Sequence, residues 1–342
     1  MKPSLLAAAF LLLLSSLCFG QNPAHDLVYK DQWREYPFDN KAFQLTRIEL
    51  KKNWQYFHRA TDYPFPNVAH VSRLLRNSPT LEASIPSKLS LNQVVNTLQD
   101  AWIAFFAGDF QQATQLGYSV GPIGHGVAFY SQTTYASRLE PDTDKRHALW
   151  EDVLNRHEKS KDFTRYDSMT RFFAFFSMAR LSEEISAPIV LARNYVGKMQ
   201  QALVELNMDD PHNVFVLAAQ GSMDAGIVRK LGKLMGQLTY GASSETVEEY
   251  YQKVTLLDKK IPNVQLEYAQ SLLYMHGKKQ LKQALIHMRH ASEVQPAFAM
   301  EALDVLHAKK LLVELMEIDK KNGYGLRAYV KRNTDMEKKY YF

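Results

Sequence analysis

The chain has 342 residues, 46% of them hydrophobic, a net charge of +5 and a single cysteine. That length supports one large core or two small ones. The cysteine, Cys18, lies in an apolar leader, so the processed chain carries no thiol, which excludes disulfides, thiol catalysis and thiolate metal sites together.

The leader reads as an export signal. Lys2 gives it a positive start, Leu5 to Leu14 an apolar run, and Cys18, Phe19 and Gly20 a cleavage region. The run is shorter than the ~20 apolar residues that span a bilayer. Cleavage is expected after Gly20, which makes the protein periplasmic or secreted. Lipidation at Cys18 is the alternative, disfavoured by the bulky Leu17 before it. Without Lys2 the charge is 40 basic against 36 acidic residues, net +4. Later stretches offer no transmembrane segment. The basic C-terminal tail, with Arg327, Lys331, Arg332, Lys338 and Lys339, reads as a solvated end and not as a nucleic-acid site.

Alternation of period two is scarce and helical spacing dominates, so the expected class is all-α. The expected plan is a signal peptide at 1–20, an irregular lead-in at 21–40, a helical repeat domain at 41–320 and a basic tail at 321–342. A first helix is expected over 41–59, broken by the prolines of 63–66, with a loop at 79–86. Ser90 and Gln93 have capping-box spacing before Val94. Asp210-Pro211 reads as another helix start. Further helices are expected near 123–139, 144–158, 164–181, 187–206, 245–258, 263–276, 280–293 and 297–318.

These helices repeat. Val247 and Ala284 are 37 residues apart, as are Val254 and Ala291. Small residues recur where paired helices approach, and Gly108-Asp109 suits a tight turn between two of them. A tetratricopeptide unit is about 34 residues, so each step fits one helical hairpin with a longer turn. Ala202 to Val254 is 52 residues, 15 more than the period, and the surplus falls near 221–241. Insertions in such arrays tend to decorate the binding face.

The chain resembles a family of exported proteobacterial tetratricopeptide-repeat proteins. The resemblance spans about 95–315 and is carried by Ala107 to Ala113, Gly121 to His125, Tyr135 to Leu139, Ala218 to Gly226, Gly232 to Ser243, Glu267 to Ala269 and Ala299 to Asp304. It implies an α-solenoid of helical hairpins and no particular reaction. A looser similarity is to the helical-repeat component of tripartite ATP-independent transporters.

Glycines cluster at 108–126 and at 221–241. Close helix packing is one account and turns lining a ligand groove the other. Gly117-Tyr-Ser119-Val-Gly121 matches a nucleophile elbow, but no strand pattern precedes it, so it reads as coincidence. His287 and His290 lie one turn apart without a metal-site spacing. Phe172, Phe173, Phe175 and Phe176 cover opposite faces of one helix and read as core. No cofactor, metal or catalytic set is expected.

The function expected from this reading is a scaffold or adaptor that binds a protein or peptide in the cell envelope. The alternative is a periplasmic small-ligand binder serving a transporter. The candidate binding residues are Lys230, Thr239 and Tyr240 in or near the inserted stretch, Glu267 and Tyr268 on the next helix, and His125 in the first glycine cluster. The groove lining discriminates: polar walls suit extended peptides, a closed apolar cavity with a few polar groups suits a small molecule.

Overall fold

The computed structural model describes residues 23–257 and 260–332. The leader and residues 333–342 of the basic tail lie outside them. Among the described residues there are helices and turns and no strand.

The N-terminal helices are α1 (Pro23–Tyr29), α2 (Arg47–Phe57), α3 (Val68–Asn77) and α4 (Pro79–Ala83). The 21–40 stretch is not wholly irregular, because α1 packs: Val28 and Trp33 are buried, and the Trp33 indole donates to the Leu27 carbonyl at 2.6 Å. The stretch expected as a loop after Ser78 contains α4, capped by the Ser78 hydroxyl. Then come α5 (Leu91–Ala107), α6 (Phe110–Ser119) and α7 (His125–Arg138). Ser90 and Gln93 form the capping box at the start of α5. Gly108 ends α5 in the left-handed conformation, φ 90°, and Asp109 caps α6, which makes the tight turn.

The middle of the chain forms α8 (Thr143–Thr164), α9 (Ser168–Glu184), α10 (Ala187–Ala192) and α11 (Tyr195–Asp209). One helix was expected over 187–206; Asn194 breaks it, at φ 50°. Next come α12 (Val214–Leu231), α13 (Lys233–Tyr240) and α14 (Ser244–Leu257). Asp210 ends α11 and does not start α12, whose cap is Asn213. Asparagine and aspartate cap equally well, so the backbone turn at Pro211 decided between them. The last helices are α15 (Pro262–His276), α16 (Leu281–Glu293), α17 (Ala299–Lys320) and α18 (Leu326–Lys331). Leu326 and Tyr329 of α18 are buried, so the chain beyond 320 is in part packed.

The 37-residue step has a physical meaning. Val247 and Val254 of α14 and Ala284 and Ala291 of α16 are all buried at equivalent positions of two helices separated by α15. Helix α14 packs on α12, and α16 packs on α15 and α17. An inner row then runs from α5 to α7 and α9, and from α12 to α15 and α17. Between α9 and α12 the packing passes through α11. The row also closes on itself, because α17 returns to α5. Phe298 lies 4.9 Å from Phe106 between ring centroids, and Ala299 sits against Gly108, where an added Cβ would lie 3.0 Å from it.

Candidate functional site

Helices α9 and α12 run in the same direction and face each other across a gap bridged near both ends. Near their starts the rings of Phe172 and Phe215 stack, with centroids 5.6 Å apart. Near their ends the Lys230 ammonium on α12 donates to the carbonyls of Ser182 and, at 2.9 Å, Ile185. These are terminal carbonyls of α9, the end of a helix where a cation is favoured. Between the two bridges the helices line a half-open cavity of about 180 Å³, whose walls α7, α10, α11, α15 and α17 complete. A water's share of liquid volume is roughly 30 Å³, so the space suits on the order of six waters, or one small ligand.

The α9 wall is aromatic. Phe172, Phe173, Phe175 and Phe176 all line the cavity. The expectation of core holds for the first three, which are buried, and Phe173 also stacks on Tyr130 of α7 at 3.9 Å. The α12 wall mixes small residues, Ala218, Ala219, Ser222 and Gly226, with the larger apolar Phe215, Met223, Ile227 and Leu231. A Cβ added at Gly226 would meet nothing within 4 Å. A helix-interior glycine costs about 1 kcal/mol relative to alanine, and here that cost opens room in the cavity.

Polar groups enter this apolar space in pairs. Arg138 meets Asp304 at 2.8 Å and Asn263 at 3.0 Å. Arg180 meets Glu267 at 2.6 Å and Glu183 at 3.1 Å, with its guanidinium 4.6 Å from the Phe176 ring centroid. Pairs this buried hold the walls in register more than they add net stability, since desolvation offsets the Coulomb gain. Arg229 sits with its guanidinium 5.3 Å from the Tyr274 ring centroid. Burial lowers the Lys230 pKa, and the neighbouring Arg229 charge lowers it further.

The six candidate residues divide. Glu267 and Lys230 line the cavity. Tyr268 does not; its ring is stacked on Tyr251 at 4.1 Å and touches His287 at 4.3 Å. Thr239 is exposed on α13. Tyr240 is half-buried against the core, and its carbonyl accepts from Gln200 at 3.1 Å. His125 is buried far from solvent, stacked on Phe129 at 4.7 Å, with Nδ1 3.2 Å from the Ser160 hydroxyl. Burial first, then Arg156 and His157, push its pKa down to about 3. The inserted stretch is thus not a groove loop: it forms the end of α12 and the short outer helix α13.

The sequence reading missed Arg138, Arg180 and Arg229 as cavity residues. The only signal for them was an arginine recurring inside apolar helix faces. The two glycine clusters differ in physics. Gly117 and Gly124 mark a close approach of α6 to the turn before α7, where a Cβ on Gly124 would lie 2.0 Å from the Gly117 carbonyl. Gly232 and Gly241 bound α13 at φ 84° and 72°. Ser119 ends α6 and its hydroxyl donates to the Leu116 carbonyl at 2.7 Å, in a helical setting and not on an elbow. His287 Nδ1 is 2.9 Å from the Gln265 side-chain oxygen. Among the described residues no group of three or more potential metal ligands occurs.

Comparison with known proteins identifies no relative: no family model, no curated protein and no solved structure matches the chain.

Proposed function

We propose that this protein is an exported binding protein that holds a small apolar ligand between α9 and α12. The observation that carries this is a concave, mainly apolar lining, aromatic on α9 and mixing small with larger apolar residues on α12, around a space of about 180 Å³. Small-molecule sites are concave, mainly apolar and fitted with a few fixed polar groups, and this lining has that composition. An extended peptide would instead need an open surface offering side-chain pockets and backbone partners. The leader at 1–20 agrees with a role in the cell envelope.

The test is a neutral apolar fluorophore, N-phenyl-1-naphthylamine, titrated against the mature chain and a Gly226→Leu variant. The leucine side chain fills the cavity from a position that has open space. Wild type is expected to bind with enhanced fluorescence, and the variant to lose that binding with a melting temperature no lower than that of wild type. Equal binding by both proteins would sink the proposal.

A second reading, docking of a protein partner, is favoured by a separate feature. Leu234, Met235 and Leu238 of α13 are exposed together on one short helix. A Leu234→Glu, Leu238→Glu double variant that still retains the same envelope proteins as wild type in a pull-down would count against it.

A further inference from the structure

We propose that the ligand of this cavity carries a single carboxylate, with Arg229 as the group that binds it. The inference rests on the cavity being a ligand site and concerns the chemical class of its occupant. The lining carries four cations, Arg138, Arg180, Arg229 and Lys230, and three carboxylates, Glu183, Glu267 and Asp304. All three carboxylates are engaged by Arg138 and Arg180. Lys230 directs its ammonium to two neutral carbonyls. Arg229 has no carboxylate within ion-pair distance among the described residues, and its buried Nε has no hydrogen-bond partner among them. It faces the ring of Tyr274 instead.

A guanidinium in such a place is a receptor for a planar anion. Its forked N–H groups match a carboxylate bidentately. The adjacent Lys230 adds positive potential without competing for the anion, since its own hydrogen bonds close the end of α9. One surplus positive charge is balanced by a monoanion. The phenylalanine wall then takes the rest of the molecule. The occupant is an amphipathic acid, a hydrocarbon or aryl body ending in one carboxylate. A neutral alcohol of the same length would fill the same space and leave Arg229 without its partner. A cationic amphiphile would be repelled.

The experiment compares octanoate with octanol by calorimetric titration of the mature chain, Arg229→Gln, Arg229→Lys and Gly226→Leu. Thermal melting first establishes that each variant is folded. Wild type is expected to bind octanoate about tenfold more tightly than octanol, or better. In Arg229→Gln that preference disappears, and octanoate binds no more tightly than octanol. Arg229→Lys keeps part of it, through charge without the fork. If wild type binds the two equally and Gly226→Leu blocks both, the cavity is a ligand site and the carboxylate inference is overturned. If Gly226→Leu binds octanoate as wild type does, or wild type binds neither compound, the cavity reading falls and this inference with it.

Discussion

The Arg59 guanidinium meets the Glu301 carboxylate at 2.6 Å across 242 residues of chain. Arg59 follows α2, which packs on α5, and Glu301 lies in the first turn of α17, so this pair reinforces the closure of the inner row from outside it. Glu301 also accepts from the Ala297 backbone amide at 2.8 Å. Its side chain is only 3% exposed. Burial raises the Glu301 pKa, and the Arg59 charge opposes that rise.

Breaking this pair from one side should therefore be costly. Glu301→Ala leaves a nearly buried guanidinium without its partner and is expected to lower stability by about 3–5 kcal/mol. Replacing both, as Arg59→Met with Glu301→Leu, should recover most of the loss, because no buried charge remains. Urea unfolding at neutral pH measures both. A loss below about 0.5 kcal/mol for Glu301→Ala, the range of ordinary surface changes, would mean that the ring is closed by the phenylalanines alone.

Two buried histidines should make the protein sensitive to acid. Burial pushes His58 and His125 down to about 3 from an ordinary value of 6.5. Between those values the unfolded chain binds protons that the folded chain refuses. Stability is then fully present above pH 6.5 and is lost as the pH falls toward 3, by about 1.4 kcal/mol per pH unit for each histidine. Glu301, whose pKa is raised, acts in the opposite sense where it titrates. Comparing His125→Leu with wild type isolates the histidine: the slope of unfolding free energy against pH should be shallower in the variant. Parallel slopes between pH 6 and pH 4 would contradict the assignment.

Alanine should have opposite effects at two glycines. At Gly124 its Cβ would lie 2.0 Å from the Gly117 carbonyl, so α6 and α7 must separate and stability falls. Forced overpacking of this kind costs roughly 1–3 kcal/mol or more. At Gly226 the Cβ meets open space, and the gain in helix propensity is up to about 1 kcal/mol. Differential scanning calorimetry of the two variants should show one melting below wild type and one at or above it. A stabilised Gly124→Ala would refute the close-approach account.

Lys230 and Thr239 should differ as sharply, although both belong to the stretch that interrupts the repeat period. Lys230→Met removes the bridge from α12 to the Ser182 and Ile185 carbonyls and leaves partly buried acceptors unpaired, at about 1–3 kcal/mol. Thr239→Ala alters an exposed side chain and should stay within about 0.5 kcal/mol. Chemical denaturation of the pair checks this. Equal midpoints for the two variants would show that the Lys230 contacts contribute nothing to holding α9 against α12.

The local code of this chain was legible without coordinates. Its helical class, the Ser90–Gln93 capping box, the Gly108–Asp109 turn and the buried 37-residue spacing of Val247 with Ala284 all rest on interactions within a few residues or on one helix face, and such interactions leave a periodic trace. Helix breaks were less legible where several residues could serve: Asn194 divided one expected helix, and Asn213 took the capping role expected of Asp210. The cavity left no trace of that kind. Glu267 lines it and Tyr268 does not, because successive helix residues point about 100° apart and only packing sets the phase. The four phenylalanines of α9 read as core because a ring against a neighbouring helix and a ring against an open space have the same pattern in sequence. Arg59 with Glu301 and Arg138 with Asp304 join residues far apart in the chain, and no local spacing encodes such a pairing. Where α17 meets α2, α5 and α7, and hence which arginine keeps a carboxylate and which does not, was decided only when the helices closed on one another.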